Sequence, residues 1–235
     1  VGISCRRIVN GLKELHIDMA QVEGIFISHE HSDHIAGLQQ LLKRFDIPVY
    51  TKQGTWREIQ DKLVVPKNQL IELTKGSLTL GNLIVEPFAV SHDAADPIGI
   101  NVFSGNDKAT VVTDTGIISD DILHRLDDST LLVLEANYDP HMLRFGPYQP
   151  FLKQRVASDE GHLSNEMAAQ ALLMMKRPDF MQVILAHRSE NNNNAVLVTQ
   201  TIGKMLVDGG VRIGPEMKLQ HGQPNEIVSM QSIKR

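Results

Sequence analysis

The segment at residues 29–34 carries four metal-binding side chains directly after an apolar run that is typical of a buried strand. On a helix, His29 and His31 would point about 200° apart, so both can bind one ion only on an irregular turn. Asp33 and His34, further along the same turn, can reach a second ion. Imidazole together with carboxylate suits zinc, manganese or iron. The segment therefore predicts a site for two metal ions.

Three further predicted strands each lead into one candidate ligand. The ligands are His92 after residues 85–90, Asp114 after residues 109–112 and His187 after residues 183–186. Taken singly, a histidine at a strand end is more often a structural hydrogen-bonding group, and an aspartate before glycine is usually a turn residue. Together with the segment at residues 29–34, the order of these residues is not expected by chance.

This order resembles that of the metallo-β-lactamase-fold hydrolases, and the resemblance covers essentially the whole chain. It implies an α/β fold of the four-layer αββα sandwich type. It also implies that Asp114 bridges two metal ions. The remaining implied ligands are His29, His31 and His92 for one ion, and Asp33, His34 and His187 for the other.

Four segments resemble the YycJ (WalJ) branch of that superfamily. They lie at residues 91–94, 143–148, 152–155 and 158–165. Members of this branch are described as double-stranded DNA 5′ to 3′ exonucleases. The resemblance therefore implies a dinuclear-metal phosphodiester hydrolase that acts on the ends of duplex DNA.

The expected mechanism depends on two divalent ions, zinc or manganese, with iron also compatible. Ions about 3.5 to 4 Å apart can share a water, lower its pKa toward neutrality and stabilise the oxygens of a phosphodiester. We expect the metal-bridging hydroxide to attack and Asp33, besides binding the second ion, to orient it.

Glu135 and His162 are the candidates for protonating the leaving oxygen. The segments around them resemble the Glu-Ala-Thr-Phe and Gly-His-Ser-Thr segments of tRNase Z enzymes, in which the histidine is thought to protonate the leaving group. A carboxylate that holds an imidazole in its charged form suits such an acid. The structural alternative is that His162 only caps the following helix and Glu135 only ends a strand.

The stretch at residues 141–155 combines cationic with aromatic side chains, which suits phosphate contacts and base stacking. The cations are Arg144, Lys153 and Arg155, and the aromatic residues are Phe145, Tyr148 and Phe151. The same stretch could be a solvated helix–loop surface with buried aromatic residues. Ser189 could donate a hydroxyl to a phosphate or simply form a loop.

The composition is typical of a cytoplasmic globular enzyme. With 235 residues, of which 42% are hydrophobic, the chain can bury a sizeable core, and we expect one domain over residues 1–235. We see no apolar run long enough to span a membrane and no secretory signal, and one cysteine, Cys5, excludes an internal disulfide. The formal net charge of −5 argues against indiscriminate nucleic-acid binding, so DNA would have to meet a local basic patch.

Hydrophobic periodicity predicts alternating helices and strands. Helices are expected at residues 6–15, 35–45, 54–63, 119–126, 164–176 and 195–207, and Ser164 is the expected N-cap of the fifth. Strands are expected at residues 22–27, 48–50 and 131–134, with a β-rich region over residues 70–104 and a hairpin at residues 105–107. Residues 1–4 resemble the end of the strand that precedes the first helix in metallo-β-lactamase folds. We therefore expect the usual N-terminal hairpin and part of the first sheet to be lacking.

Two other function classes remain open at this point. A hydrolase of small esters, thioesters or cyclic phosphodiesters of the same fold would explain the acidic net charge, but it leaves the cationic and aromatic stretch unused. A metal-binding scaffold without turnover is the third class, and the complete ligand set together with a candidate acid argues against it.

Overall fold

The computed structural model describes residues 1–74, 76–223 and 226–229 and contains both helices and strands. The chain forms two compact units. The first comprises Val1–Leu80 and Ala94–Ile98, and the second comprises Gly81–Asp93 and Gly99–Arg235. The expectation of a single domain over residues 1–235 stays a prediction.

The helices and strands are numbered here in chain order. The helices are α1 (Cys5–Glu14), α2 (Ser32–Ile35), α3 (Leu38–Leu42), α4 (Gln53–Lys62), α5 (Asp120–Leu126), α6 (Pro140–Phe145), α7 (Pro150–Val156), α8 (Asn165–Met174) and α9 (Ala195–Asp208). The strands are β1 (Ile25–Phe26), β2 (Val49–Thr51), β3 (Leu70–Glu72), β4 (Leu78–Leu80), β5 (Leu83–Ala89), β6 (Ile98–Ser104), β7 (Asp107–Val112), β8 (Leu131–Glu135), β9 (Met181–Ala186) and β10 (Met217–His221).

The first unit contains a parallel sheet in the order β1-β2-β3. Helix α1 places its apolar residues at Cys5, Ile8, Val9 and Leu12, a spacing that puts them on one face. That face packs into a cluster with the buried side chains of α3 and α4, among them Ile59. Burial of this cluster holds in place the turn that follows β1, where the first candidate ligands lie.

The second unit contains a mixed sheet in which β10, β9, β8, β7, β6 and β5 lie in this order. Strands β6 and β7 form an antiparallel hairpin whose turn includes Gly105 at φ +58°, a conformation that favours glycine. Strands β7, β8, β9 and β10 are mutually parallel, so their carboxyl ends meet at one edge of the sheet. Asp114, Glu135 and His187 lie at or directly after three of these ends.

Helices α5, α8 and α9 cover the apolar side chains of this sheet. Their buried residues include Leu126, Leu172 and Ile202, which join Leu132 and Val183 of the strands in one cluster. Each of the three helices begins at a side-chain N-cap, a serine or asparagine oxygen that accepts a backbone N–H of the first turn. Ser164, the cap of α8, was predicted from the sequence.

The α/β class and most predicted elements are confirmed, with four differences, the first of which is that strand β10 was not predicted. The single helix expected at residues 35–45 is two short helices that break at Gly37, where a β-carbon would lie 2.1 Å from the carbonyl oxygen of Ile3. In the strand expected at residues 22–27, only the two residues of β1 pair with a neighbouring strand, because that neighbour, β2, is three residues long. The bounds of helices α6 and α7 were not predicted; Pro140 and Pro150 both lie at the first helical position, where proline is favoured.

Among the described residues, no helix is both long enough and apolar enough to cross a membrane.

Candidate metal centre

In the first unit, the four residues of the 29–34 segment that can bind metal follow β1 as predicted. His29 and His31 lie on irregular backbone, and His31 is the N-cap of α2, whose first turn carries Asp33 and His34. The rings of His29 and His31 have centroids 4.6 Å apart, and those of His29 and His34 are 4.0 Å apart. His29 is buried, and His31 and His34 are half-buried; such a cluster of three imidazoles is suited to a metal ion, because neutral imidazole is a common ligand.

Ser28 fixes two of these rings. Its hydroxyl lies 3.1 Å from Nδ1 of His29 and 3.3 Å from Nδ1 of His34. A hydroxyl can donate one hydrogen bond and accept others, so it can hold both rings in a defined orientation. Both rings therefore present Nδ1 to the Ser28 hydroxyl.

In the second unit, Asp114 and His187 both adopt the left-handed backbone conformation, at φ 57° and φ 53°. This conformation is strained for residues other than glycine, and such strain is found preferentially at functional sites. Asp114 is 2% exposed, and its Oδ1 lies 3.3 Å from Nε2 of His187 and 3.7 Å from Nε2 of His92. The structure thus brings together the three ligands predicted from the strand ends of this unit.

Hydrogen bonds fix the orientation of both histidines. Nδ1 of His92 lies 3.1 Å from the carbonyl oxygen of Gly161, and Nδ1 of His187 lies 2.7 Å from Oε1 of Glu135. A carbonyl and a carboxylate only accept hydrogen bonds, so Nδ1 carries the proton in each ring. The lone pair is then on Nε2, which faces the Asp114 carboxylate. Two lone-pair nitrogens opposite a carboxylate form a donor set that fits a divalent cation.

Glu135 is fully buried and accepts four hydrogen bonds. Its Oε1 lies 2.7 Å from Nδ1 of His187 and 2.8 Å from Nδ1 of His162. Its Oε2 accepts the backbone N–H of Leu163 at 3.0 Å and that of Thr115 at 3.3 Å. A single carboxylate therefore orients both a candidate metal ligand and the candidate acid.

The pKa values of two groups reflect this environment. Burial by itself raises the pKa of Glu135, but the hydrogen bonds from His162 and His187 outweigh it, so that the net shift is downward and the carboxylate stays ionised. Burial lowers the pKa of His92, and the nearby Asp114 carboxylate offsets this shift only in part. A neutral His92 imidazole is the form that can bind a metal ion.

His162 lies beside these groups with 20% of its side chain exposed. Its ring centroid is 5.2 Å from that of His92 and 5.3 Å from that of His187. Since Glu135 holds Nδ1, the other ring nitrogen is the one that can exchange a proton with a bound molecule. Ligand atoms of Asp114, Glu135, His162 and His187 all lie within 4.8 Å of one another.

The four residues predicted to contact substrate are held in different ways. Arg144 is exposed, and Lys153 donates to its carbonyl oxygen at 2.8 Å. Arg155 forms an ion pair with Asp93. The hydroxyl of Ser189 accepts the backbone N–H of Asn192 at 3.2 Å, a contact that shapes the loop after His187.

Two contributors to the site were not singled out from the sequence. One is Ser28, and the other is Asn137, whose Nδ2 donates to the carbonyl oxygen of His187 at 2.8 Å and so supports the strained backbone there. Asn137 lies two residues after Glu135, at the end of a strand parallel to the one that precedes His187. The sequence signal that could have indicated both residues is a polar side chain within two positions of a predicted site residue, His29 or Glu135.

A family model described as a beta-lactamase superfamily domain matches residues 7–187. Exodeoxyribonuclease YycJ of Bacillus anthracis is 33% identical over 234 residues, which cover 99% of this chain and 89% of that protein. Exodeoxyribonuclease WalJ of Streptococcus pneumoniae is 30% identical over 237 aligned positions, which cover 99% of this chain and 88% of that protein.

Solved structures confirm the fold. The metallo-β-lactamase fold protein YhfI from Bacillus subtilis superposes with a TM-score of 0.60 at 16% sequence identity, over 84% of this chain and 75% of that one. The predicted fold is thus confirmed by a family model and by solved structures.

Proposed function

The chain belongs to the metallo-β-lactamase superfamily, in the branch that contains YycJ and WalJ, and on this premise we propose that it is a metal-dependent hydrolase that degrades DNA from its ends. The observation that carries the proposal is likeness along 99% of the chain to two proteins named exodeoxyribonucleases. The 5′ to 3′ polarity and the preference for duplex ends follow from the resemblance of the loop segments to this branch. A cytoplasmic location is the matching expectation.

The proposed metal ligands are the seven residues of the family pattern. They are His29, His31, Asp33 and His34 of the first unit, and His92, Asp114 and His187 of the second. The donor set described for the second unit, with two oriented Nε2 atoms facing a buried carboxylate, supports this assignment. We propose two divalent ions, zinc or manganese, with iron also compatible with these ligands.

Metal ions bound there would activate water and stabilise the charge that builds on phosphodiester oxygens. The chain itself supplies the remaining chemistry. Asp33, in the first turn of α2, would orient the attacking water. His162 would donate a proton to the leaving oxygen from the ring nitrogen that Glu135 does not hold, while Glu135 keeps its imidazole oriented and stabilises its protonated form.

The substrate would contact the cationic stretch. Arg144 and Lys153 are proposed to bind backbone phosphates, since phosphate contacts supply most of the affinity of proteins for nucleic acid. Arg155 and Ser189 are proposed to contact the substrate at the margin of this stretch. The ion pair with Asp93 holds Arg155 there, and the contact with Asn192 holds Ser189.

The test compares substrates and a matched pair of variants. Metal-loaded protein is incubated with end-labelled duplex DNA, with bis-p-nitrophenyl phosphate and with a thioester. We expect DNA to be shortened from its ends and the thioester to survive. Efficient thioester turnover with intact DNA would instead establish a small-molecule hydrolase.

Asp114→Asn and Asp128→Asn provide the matched pair. Both aspartates adopt φ 57°, so the same substitution is made at the same backbone conformation. The Asp128 carboxylate forms an ion pair with the exposed Lys176, and an ion pair at the surface contributes little to stability. We expect DNA degradation to be lost in Asp114→Asn and retained in Asp128→Asn.

A further inference from the structure

Two large aromatic side chains of the second unit are exposed to solvent. Phe145, at the end of α6, is 67% exposed, and Phe151, in the first turn of α7, is 70% exposed. The two helices are joined by only four residues, 146–149, and they have their own apolar interior formed by Leu143, Leu152 and Val156. Because this interior leaves out both phenylalanines, packing does not account for them. Two exposed aromatic side chains on helices joined by so short a segment are candidates for a binding surface.

The surroundings of these rings are cationic. Residues 141–155 contain no aspartate or glutamate, although the chain as a whole has 28 acidic against 23 basic residues. The guanidinium carbon of Arg144 lies 5.3 Å from the centroid of the Phe145 ring, and the ring of His141 lies 4.6 Å from it. Lys153 is held against the same turn by its bond to the Arg144 carbonyl. The partner of this surface is therefore expected to be an anion that also carries flat apolar faces.

The helix pair is fixed to the loops that carry the candidate ligands. At one end, Arg155 pairs with Asp93, the neighbour of His92. Between the helices, the Tyr148 hydroxyl accepts a hydrogen bond from Nδ2 of Asn191 at 3.4 Å, in the loop that follows His187. A molecule bound to the two rings would therefore be held by the same loops that position the metal ligands of this unit.

We propose that Phe145 and Phe151 stack on unpaired bases of a nucleic-acid strand, so that the enzyme binds DNA ends with a single-stranded overhang more tightly than blunt ends. This inference rests on the proposed function. Within a duplex, the faces of a base are covered by its neighbours. A blunt end therefore offers one open face, on its last base pair, whereas an overhang offers the faces of several unpaired bases to the two rings. Stacking is tolerant of sequence, and the nearby Arg144 and Lys153 would contact the phosphates of the same strand.

The test measures binding of fluorescent hairpin DNA that ends either blunt or in an unpaired overhang, with a non-hydrolysable terminal linkage. The variants are Phe145→Leu, Phe151→Leu and the double variant, which keep apolar volume but lose the aromatic face. Each leucine should weaken overhang binding by about 5- to 150-fold, from the usual contribution of one stacked base. Binding to the blunt hairpin should change much less.

Two controls complete the experiment. Phe145→Trp and Phe151→Trp should keep overhang binding, because tryptophan also stacks. Met174→Ala removes another apolar side chain that is 67% exposed, on α8, and should leave both affinities unchanged.

Equal losses on both hairpins, or no loss on either, would overturn the stacking proposal. Self-association of the wild-type protein that the leucine variants abolish, with unchanged DNA binding, would also overturn it and assign the surface to a second copy. Wild-type protein that neither binds these hairpins nor degrades the same hairpins without the blocked linkage would refute the proposed function itself. Degradation of the unblocked hairpins without any dependence on the two rings refutes only the stacking.

Discussion

Replacing Glu135 by glutamine should weaken metal binding while the fold is retained. The glutamine oxygen can still accept the backbone N–H groups of Thr115 and Leu163, which the carboxylate accepts at 3.3 and 3.0 Å. The amide nitrogen would then face Nδ1 of His162 and of His187, and it can only donate. Both imidazoles would have to accept at Nδ1 and carry their proton on Nε2.

The magnitude follows from this change of tautomer. An imidazole with its proton on Nε2 has no lone pair there for a metal ion, so His187 must break its new hydrogen bond before it binds. Loss of the hydrogen-bond acceptor that orients a metal-ligating histidine typically lowers the affinity for metal about 10- to 100-fold, which corresponds to about 1.4 to 2.8 kcal/mol. Glu135→Ala should additionally destabilise the metal-free protein, by about 3 to 5 kcal/mol, because the buried hydrogen-bonding groups around it lose their acceptor.

Competition with a chromophoric chelator measures the affinity, and urea denaturation of the metal-free protein measures the stability. Glu166→Gln, the same substitution in the first turn of α8, is the control and should change neither quantity appreciably. Wild-type metal affinity in Glu135→Gln would refute the inferred tautomers of His187, and Glu135→Ala as stable as Glu135→Gln would refute the role of Glu135 in the buried network.

Three further predictions address single parts of the site. Asp114→Ala should lower metal content at both sites, whereas Asp33→Ala should chiefly empty one, and elemental analysis showing full loading of Asp114→Ala would contradict the bridging role. His162→Ala should retain the bound metal yet lower the rate of DNA degradation by about 10² to 10⁴. The loss on bis-p-nitrophenyl phosphate should be much smaller, because its leaving group needs little protonation. Equal losses on the two substrates would favour a structural role for His162. Replacing Arg144 and Lys153 by alanine should reduce the slope of log affinity for duplex DNA against log salt concentration by up to about 1.8, from about 0.9 per phosphate contact, and an unchanged slope would locate the DNA surface elsewhere.

The candidate metal ligands could be recognised in the sequence because the pattern they form is local. His29, His31, Asp33 and His34 lie together in the sequence, and each remaining ligand follows an apolar run that forms a strand. Helix starts were also readable where a capping side chain is present, as at Ser164. Such signals depend on neighbouring residues alone.

The shared role of Glu135 could not be predicted, because it depends on register. Strands β8 and β9 pair in parallel with Glu135 opposite Ala186, which brings His187 within 2.7 Å of the carboxylate across 52 positions of sequence. The break between α2 and α3 at Gly37 likewise depends on the close approach of Ile3, which precedes α1 in the chain. Contacts of this kind are set by packing and leave no local pattern.

The most direct test of the account is digestion of duplex DNA whose 5′ or 3′ ends are blocked by phosphorothioate linkages, with manganese-loaded protein. We predict that DNA blocked at its 3′ ends is degraded, that DNA blocked at its 5′ ends survives, and that a chelator abolishes degradation. Degradation that begins at the 3′ end would contradict the polarity. Intact DNA in every reaction, with turnover of a cyclic phosphodiester or a thioester by the same preparation, would contradict the claim that this metal centre acts on DNA ends.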